Sequence, residues 1–423
     1  MINISLLWFV FIGSISYKLF PFSLNDIFML LSNLYILLDY IFFNRSVFNS
    51  IYSKFIPNIL RIFLGLFFGI SLFRLLISDQ NILDQIIRFF RANQIVLSLF
   101  STFFVLDKSF KFSNKKEDNF GKLLFSIILS IFALISFSLI FSSLIGCENV
   151  YKARFCIAGQ DSYSANGYIA ASLLLLNFNI IFIINKFYIN IPYKKLSIYF
   201  FSPINIIYSI LVIYESGSRG ATIAISMAFL VFFFYFFITR IRFLKINKFL
   251  IWTLTLIPLF LSSTIGSAIV SARRSFALFR FLLSGNFMSN IYSKRLQKNI
   301  FYKENPIWGG GNFQVNPNPL GTSWYDGTLT FFVHSYGLIG IFLLIILIFG
   351  LAYHYMKFNN FLKINKLEKY NDFNSILVSS ISFSLVASFP NELIILNNGV
   401  SMVFMMTLIF SLYAPYFYLK RYI

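Results

Sequence analysis

Charge is the first thing this chain lacks. Only 12 % of its 423 residues are Asp, Glu, Lys or Arg, and only 15 of those are acids, against about 25 % charged residues in an ordinary soluble domain. With 58 % hydrophobic and 20 % aromatic residues in their place, there is too much apolar surface for a soluble fold to hide from water. Histidine and cysteine are nearly missing too, with two of each. The outside carboxylates are few and form no acidic pair of the DxD kind, so no metal site is expected and no cofactor is called for. The bases outnumber the acids by 20. They are scattered in short clusters between apolar runs rather than gathered on one domain, which argues against nucleic acid as a partner.

What is present is a succession of long apolar runs, and the expected fold is an all-α polytopic membrane protein forming a single integral domain over 1–423. A spanning helix needs about 20 apolar residues. Twelve segments meet that requirement, near 3–19, 25–43, 57–78, 84–106, 122–146, 167–189, 197–214, 221–239, 249–269, 326–354, 375–390 and 393–417. The run 196–239 is twice a span and holds only Glu215 and Arg219 as charges, so it is expected to fold as a hairpin with "SGSRG" as an exposed turn.

Basic residues set the orientation. With the first residue in the cytoplasm, the cytoplasmic segments hold 20 Lys and Arg, and the short outside segments hold four, Lys18, Lys152, Arg154 and Arg219. The positive-inside rule then places both termini in the cytoplasm. The first apolar segment runs through Lys18 with no small-residue cleavage site and reads as a retained helix.

Two outside loops of substance remain, about 147–166 and 270–325. The longer carries seven bases, among them Arg280 and Arg295, against the single acid Glu304. Long translocated loops escape the charge rule, so this excess suggests an anionic ligand, with a lipid-headgroup-facing loop as the plainer alternative. The shorter loop holds both cysteines, Cys147 and Cys156. They can form a disulfide in an oxidising compartment or stand as unlinked thiols. Arg74, Arg88 and Arg91 lie near outside helix ends, where they either extend a basic cavity or snorkel, with Asp84 pairing Arg88. Asp39 lies deep in the second span with no local partner.

Three stretches, in this order, resemble the O-antigen polymerase and ligase family of bacterial surface-polysaccharide assembly. They are "GSRGA" (217–221) between two helices; "SKRLQKNIFYKENPIWGGGNF" (293–313), an arginine, then asparagine-proline, then a glycine run; and "YDGTLTFFVHSYGLIGIFLLI" (325–345), a polar residue opening a helix with "YGLIG". A weaker fourth is "RFCIAGQDSYSANGYIAA" (154–171). The resemblance covers about 150–345.

It implies a GT-C-like, metal-independent membrane glycosyltransferase in the bacterial inner membrane. Such an enzyme joins polyprenyl-diphosphate-linked oligosaccharides of O-antigen or capsule on the periplasmic face, with a flippase and a chain-length regulator as neighbours in the process. The leaving diphosphate gathers negative charge as the glycosidic bond breaks, and arginine offers it paired, permanently charged donors. Arg219 is the first candidate, then Arg295 and Arg154, with Arg280 behind them. Glycines beside Arg219 allow a compact turn, and the helix beginning near Ala221 presents its N-terminal amides to an anion. The plainer reading of Arg219 is an interface anchor paired with Glu215. Asp326 stands where many polymerases carry an acid or amide, as a base for the acceptor hydroxyl or simply an N-cap. His334 is eight residues, about 12 Å, farther along the helix. It does not replace the histidine of family ligases, which favours polymerase over ligase. His354 is expected at the cytoplasmic end with no part in the chemistry. Two readings from other classes remain: a lipid-linked oligosaccharide flippase or other transporter, which no internal repeat supports, and a non-catalytic receptor or assembly scaffold, which would need no convergent arginines.

Overall fold

A computed structural model of the chain describes residues 18–19, 22–23, 34, 58–77, 89, 116–144, 147, 155–157, 163–241, 306–309, 328–367, 370–388 and positions between 407 and 419. Within these the fold is helical. The exceptions are turns and a two-residue antiparallel pairing, β1 (Lys18–Leu19) with β2 (Phe22–Ser23). In chain order the helices are α1 (Asn58–Ile77), α2 (Lys116–Leu144), α3 (Tyr163–Lys186), α4 (Lys194–Ser216), α5 (Arg219–Ile241), α6 (Thr328–Ile364) and α7 (Phe373–Ser388). Five of them are long and apolar enough to cross a membrane, in α2 through α6, while the apolar stretches of α1 and α7 are shorter.

The helix α3 is the centre of the bundle. Its Asn177 and Asn179, two residues apart and so on opposite faces, are both fully buried, as expected of a helix enclosed on all sides. It packs against α2, α4, α5 and α7, and α5 packs along α7. Apolar contact supplies little drive between helices in lipid, so polar contacts and close packing carry more of the association. Asn179 donates to Ser380 of α7 at 3.2 Å and to Ser411 at 3.0 Å. Asn177 donates to the carbonyl of Ser202, and Asn205 to that of Ile128 in α2.

The run 196–239 does fold as two helices, α4 and α5. The first begins irregularly, with one π turn at Ser197–Phe201 ahead of regular helix. Pro203 has no N–H to continue the ladder, and the Ser202 amide reaches back five residues to Ser197; the π turn absorbs the mismatch.

The bundle has two distinct ends. At one, Lys186 closes α3 with an ion pair to Asp372 at 2.5 Å. Phe187 stacks on Phe373, with ring centroids 4.2 Å apart, and the rings of Tyr370 and Tyr418 close the cluster. Lys194, Lys195 and Lys363 belong to this end. The other end holds the turn between α4 and α5, the start of α3 and the end of α2. From Ile364 back to Gly337 is about 40 Å of helix, which carries α6 from the basic end to the opposite one.

Helix α6 differs from the single span expected over 326–354. It is longer, and it is broken at Gly337, whose φ of 60° and ψ of −140° leave the helical region. A side chain there would meet both a strained backbone and the carbonyls of Pro306 and Ile307. His354, expected at a helix end, sits inside α6, fully buried, with Nε2 3.3 Å from the carbonyl of Leu412. The helix continues ten residues beyond it, with Phe358 and Leu362 fully buried.

Candidate functional site

Four stretches of the sequence carry the candidate chemistry, and the described residues bring them together in two pairs at the end opposite the lysines. The first pair joins the start of α3 to the turn between α4 and α5. Gly217 takes the left-handed conformation (φ 62°, ψ 19°) and its amide returns to the carbonyl of Tyr214 at 3.3 Å, a C-cap that suits glycine. One residue later the carbonyl of Ser218 accepts from the amide and the hydroxyl of Thr222, so α5 starts at once. The Ser216 hydroxyl receives the amide of Ser218 at 3.3 Å and donates to the carbonyl of Ile213 at 2.8 Å.

The sequence suggests an exposed turn, but both of its serines are buried. Ser216 and Ser218 are 6 % and 3 % accessible, because Gly167, the fifth residue of α3, lies directly on them with no space for a β carbon. The starts of α3 and α5 thus lie close together, and the positive dipole ends of both helices favour negative charge there. Arg219 is the first residue of α5; its side chain is outside the described residues.

A disulfide between Cys147 and Cys156, with Cα atoms 6.1 Å apart, ties the chain just beyond α2 to the segment 155–157. That segment crosses to the same corner. The Ile157 amide donates to Oδ1 of Asn166 at 2.5 Å, next to Gly167. The Tyr208 hydroxyl of α4 donates to the carbonyl of Cys156 at 2.6 Å, and the ring of Phe155 meets that of Tyr208 edge-on at 5.9 Å.

No family model matches this chain, and no curated protein matches it.

The second pair joins the turn at Pro306–Trp308 to the break in α6. The Leu338 amide donates to the carbonyl of Pro306 at 3.1 Å and the Ile339 amide to that of Ile307 at 3.4 Å. Helix resumes at Leu338, so these are amides a helix start leaves open. Gly340 lies against the backbone of Phe332 and leaves no room for a side chain. From α1, Phe67 packs on Phe332 and Tyr336 at 6.2 and 5.7 Å. Pro306 and Ile307 therefore meet the "YGLIG" stretch as backbone on backbone.

Arg154, Arg280, Arg295 and Asp326 lie outside the described residues, as do Asp39, Asp84, Arg88 and Arg91 and the side chains of Arg74 and His334. Among the described residues no three His, Cys, Asp or Glu side chains lie together. The sequence reading passed over Asn166, Gly167 and Tyr208. Asparagine followed by glycine at the head of a span was a signal for the first two; nothing local marks Tyr208, whose partner is 52 residues away.

Proposed function

We propose that the chain is a membrane glycosyltransferase that polymerises polyprenyl-diphosphate-linked oligosaccharide repeat units of a bacterial surface polysaccharide. The observation that carries this reading is the packing of Gly167 on the Ser216–Ser218 turn. Two stretches that resemble the O-antigen polymerase and ligase family, distant in sequence, form one corner headed by Arg219. Two helix N-termini and a guanidinium suit a diphosphate, whose charge grows as the glycosidic bond to the sugar breaks.

In this reading the twelve spans include the helices α1 to α7, both termini face the cytoplasm, and the disulfide end faces the periplasm of the inner membrane. A disulfide belongs on that side, where thiols are oxidised. Arg219, with Arg154, Arg295 and Arg280, binds the donor diphosphate, and Asp326 removes the proton of the acceptor hydroxyl. The reaction is metal-independent and needs no cofactor. A flippase delivers the lipid-linked units and a chain-length regulator limits the product.

Deleting the gene and separating the surface polysaccharide on a gel tests the reading. A lost polymerase leaves one repeat unit on the final acceptor. Loss of all attached glycan would instead indicate a ligase that transfers glycan to lipid A-core, and intracellular build-up of unflipped lipid-linked units a flippase. Long chains restored by both Arg219→Ala and Arg295→Ala at normal expression would overturn the diphosphate role.

A further inference from the structure

The segment 155–157 is anchored from three helices, more firmly than a connection between spans requires. Its middle residue is covalently tied by the Cys147–Cys156 bridge to the chain just beyond α2. Its backbone is held by one side chain from α3, Asn166, and one from α4, Tyr208. Ser142 of α2 adds a contact at 3.2 Å between its hydroxyl and Sγ of Cys156. Asn166 is fully buried and Tyr208 is 3 % accessible. Each gives a polar atom to a main-chain group of this segment, and the Tyr208 hydroxyl also bonds the Ser142 side chain of α2.

Two features tie the segment to the turn that heads α5. Asn166 is adjacent in sequence to Gly167, the residue on which Ser216 and Ser218 rest. Tyr208 stands on the same helix as Ser216, about two turns before it. A displacement of 155–157 therefore acts on the turn by two routes, through the start of α3 and along α4.

We infer that Asn166 and Tyr208 are positioning residues, which hold the disulfide-tied segment 155–157 in register with the 216–219 turn and so set the affinity of that corner for the lipid diphosphate. The inference rests on the polymerase reading above. Neither side chain touches the reacting atoms. Each supplies one hydrogen bond to main chain, and the segment is in place only when the two bonds and the bridge are all made. Substrate capture should therefore depend on them more than turnover does.

The test uses the full chain in membrane vesicles with lipid-linked repeat units purified from a strain lacking the protein. Tyr208→Phe keeps the ring and removes the hydroxyl. Asn166→Leu removes the acceptor, and Asn166→Asp restores it in the first turn of a helix, where a negative charge is tolerated. Tyr208→Phe and Asn166→Leu are each expected to raise KM about tenfold, as each loses its buried hydrogen bond to the segment, with kcat held within about twofold. Asn166→Asp should return KM to near the wild-type value.

A second measurement needs no activity: the rate at which dithiothreitol opens the Cys147–Cys156 bridge in the same vesicles, read by mass-tagging the thiols. Opening should quicken in Tyr208→Phe and Asn166→Leu, because the clamp no longer shields Cys156, which is 4 % accessible. Faster opening with unchanged KM would overturn the inference while leaving the polymerase reading intact. Unchanged opening would show that there is no clamp and overturn it directly. A wild-type chain that opens slowly yet never extends the lipid-linked units would refute the polymerase reading, and the inference with it, on the activity arm alone.

Discussion

Gly167 of α3 lies on Ser218, the residue that caps α5, so closely that a β carbon at position 167 would overlap the serine side chain. This one approach covers the turn that the sequence presents as a free tip, and it makes the size of residue 167 a determinant of the corner.

Gly167→Ala should therefore be costly although alanine is the better helix former. Overpacking of this kind costs about 1–3 kcal/mol, against a helix-propensity gain of up to about 1 kcal/mol. A lower midpoint of thermal unfolding in detergent is expected, together with shorter polysaccharide chains. Ser218→Gly in the same chain should recover part of both, because it removes the atom that is struck. An unaltered melting curve for Gly167→Ala would mean that the approach is looser than described.

The break at Gly337 predicts a different kind of defect. A non-glycine residue pays about 1–3 kcal/mol for so sparsely populated a positive-φ conformation, and here a β carbon also strikes the carbonyls of Pro306 and Ile307. Gly337→Ala should loosen the 306–309 segment, which limited proteolysis of vesicles will detect as new cleavage near Trp308. Gly65→Ala is the control: a β carbon there meets nothing within 4 Å, and the cleavage pattern should stay unchanged.

Removing the bridge should cost stability even where activity is not measured. The cysteines are nine residues apart, and closing so short a loop is worth about 2–3 kcal/mol in the chain-entropy account. Cys147→Ser with Cys156→Ser should lower the unfolding midpoint, and dithiothreitol should lower that of the wild type by a similar amount. Dithiothreitol should leave the double variant where it is.

Inside the bundle, Asn179 links α3 to Ser380 of α7 and to Ser411. Asn179→Leu removes both bonds. Hydrogen bonds between membrane helices average about 0.6 kcal/mol each, so a loss near 1 kcal/mol is expected in reversible unfolding. Ser380→Ala should account for about half of it, and adding it to Asn179→Leu should cost little more, since the partner is already gone.

Class and rough architecture could be read from the chain before any folding. The scarcity of charge and the length of the apolar runs require helices that satisfy their own backbone, because lipid offers no hydrogen-bond partners. That local necessity is why α4 and α5 fall within a few residues of the spans 197–214 and 221–239, and why "SGSRG" marks their junction. Motif order was legible for the same reason: a turn glycine and a helix-opening residue act within a few positions of themselves.

Tertiary packing alone decided what those motifs face. Whether a turn at 216–218 meets water or the start of α3 depends on residue 167, some fifty positions earlier, and no local pattern encodes that approach. The break at Gly337 is likewise set by the backbone of Pro306 and Ile307 arriving to bind two helix-start amides; without it "YGLIG" reads as uninterrupted helix. Tyr208 looked like one more aromatic in an apolar run until its hydroxyl met the carbonyl of Cys156. Periodicity reports which face of a helix is apolar. It cannot report which distant main-chain group a buried hydroxyl or amide will find, and in this chain those pairings decide the shape of the candidate site.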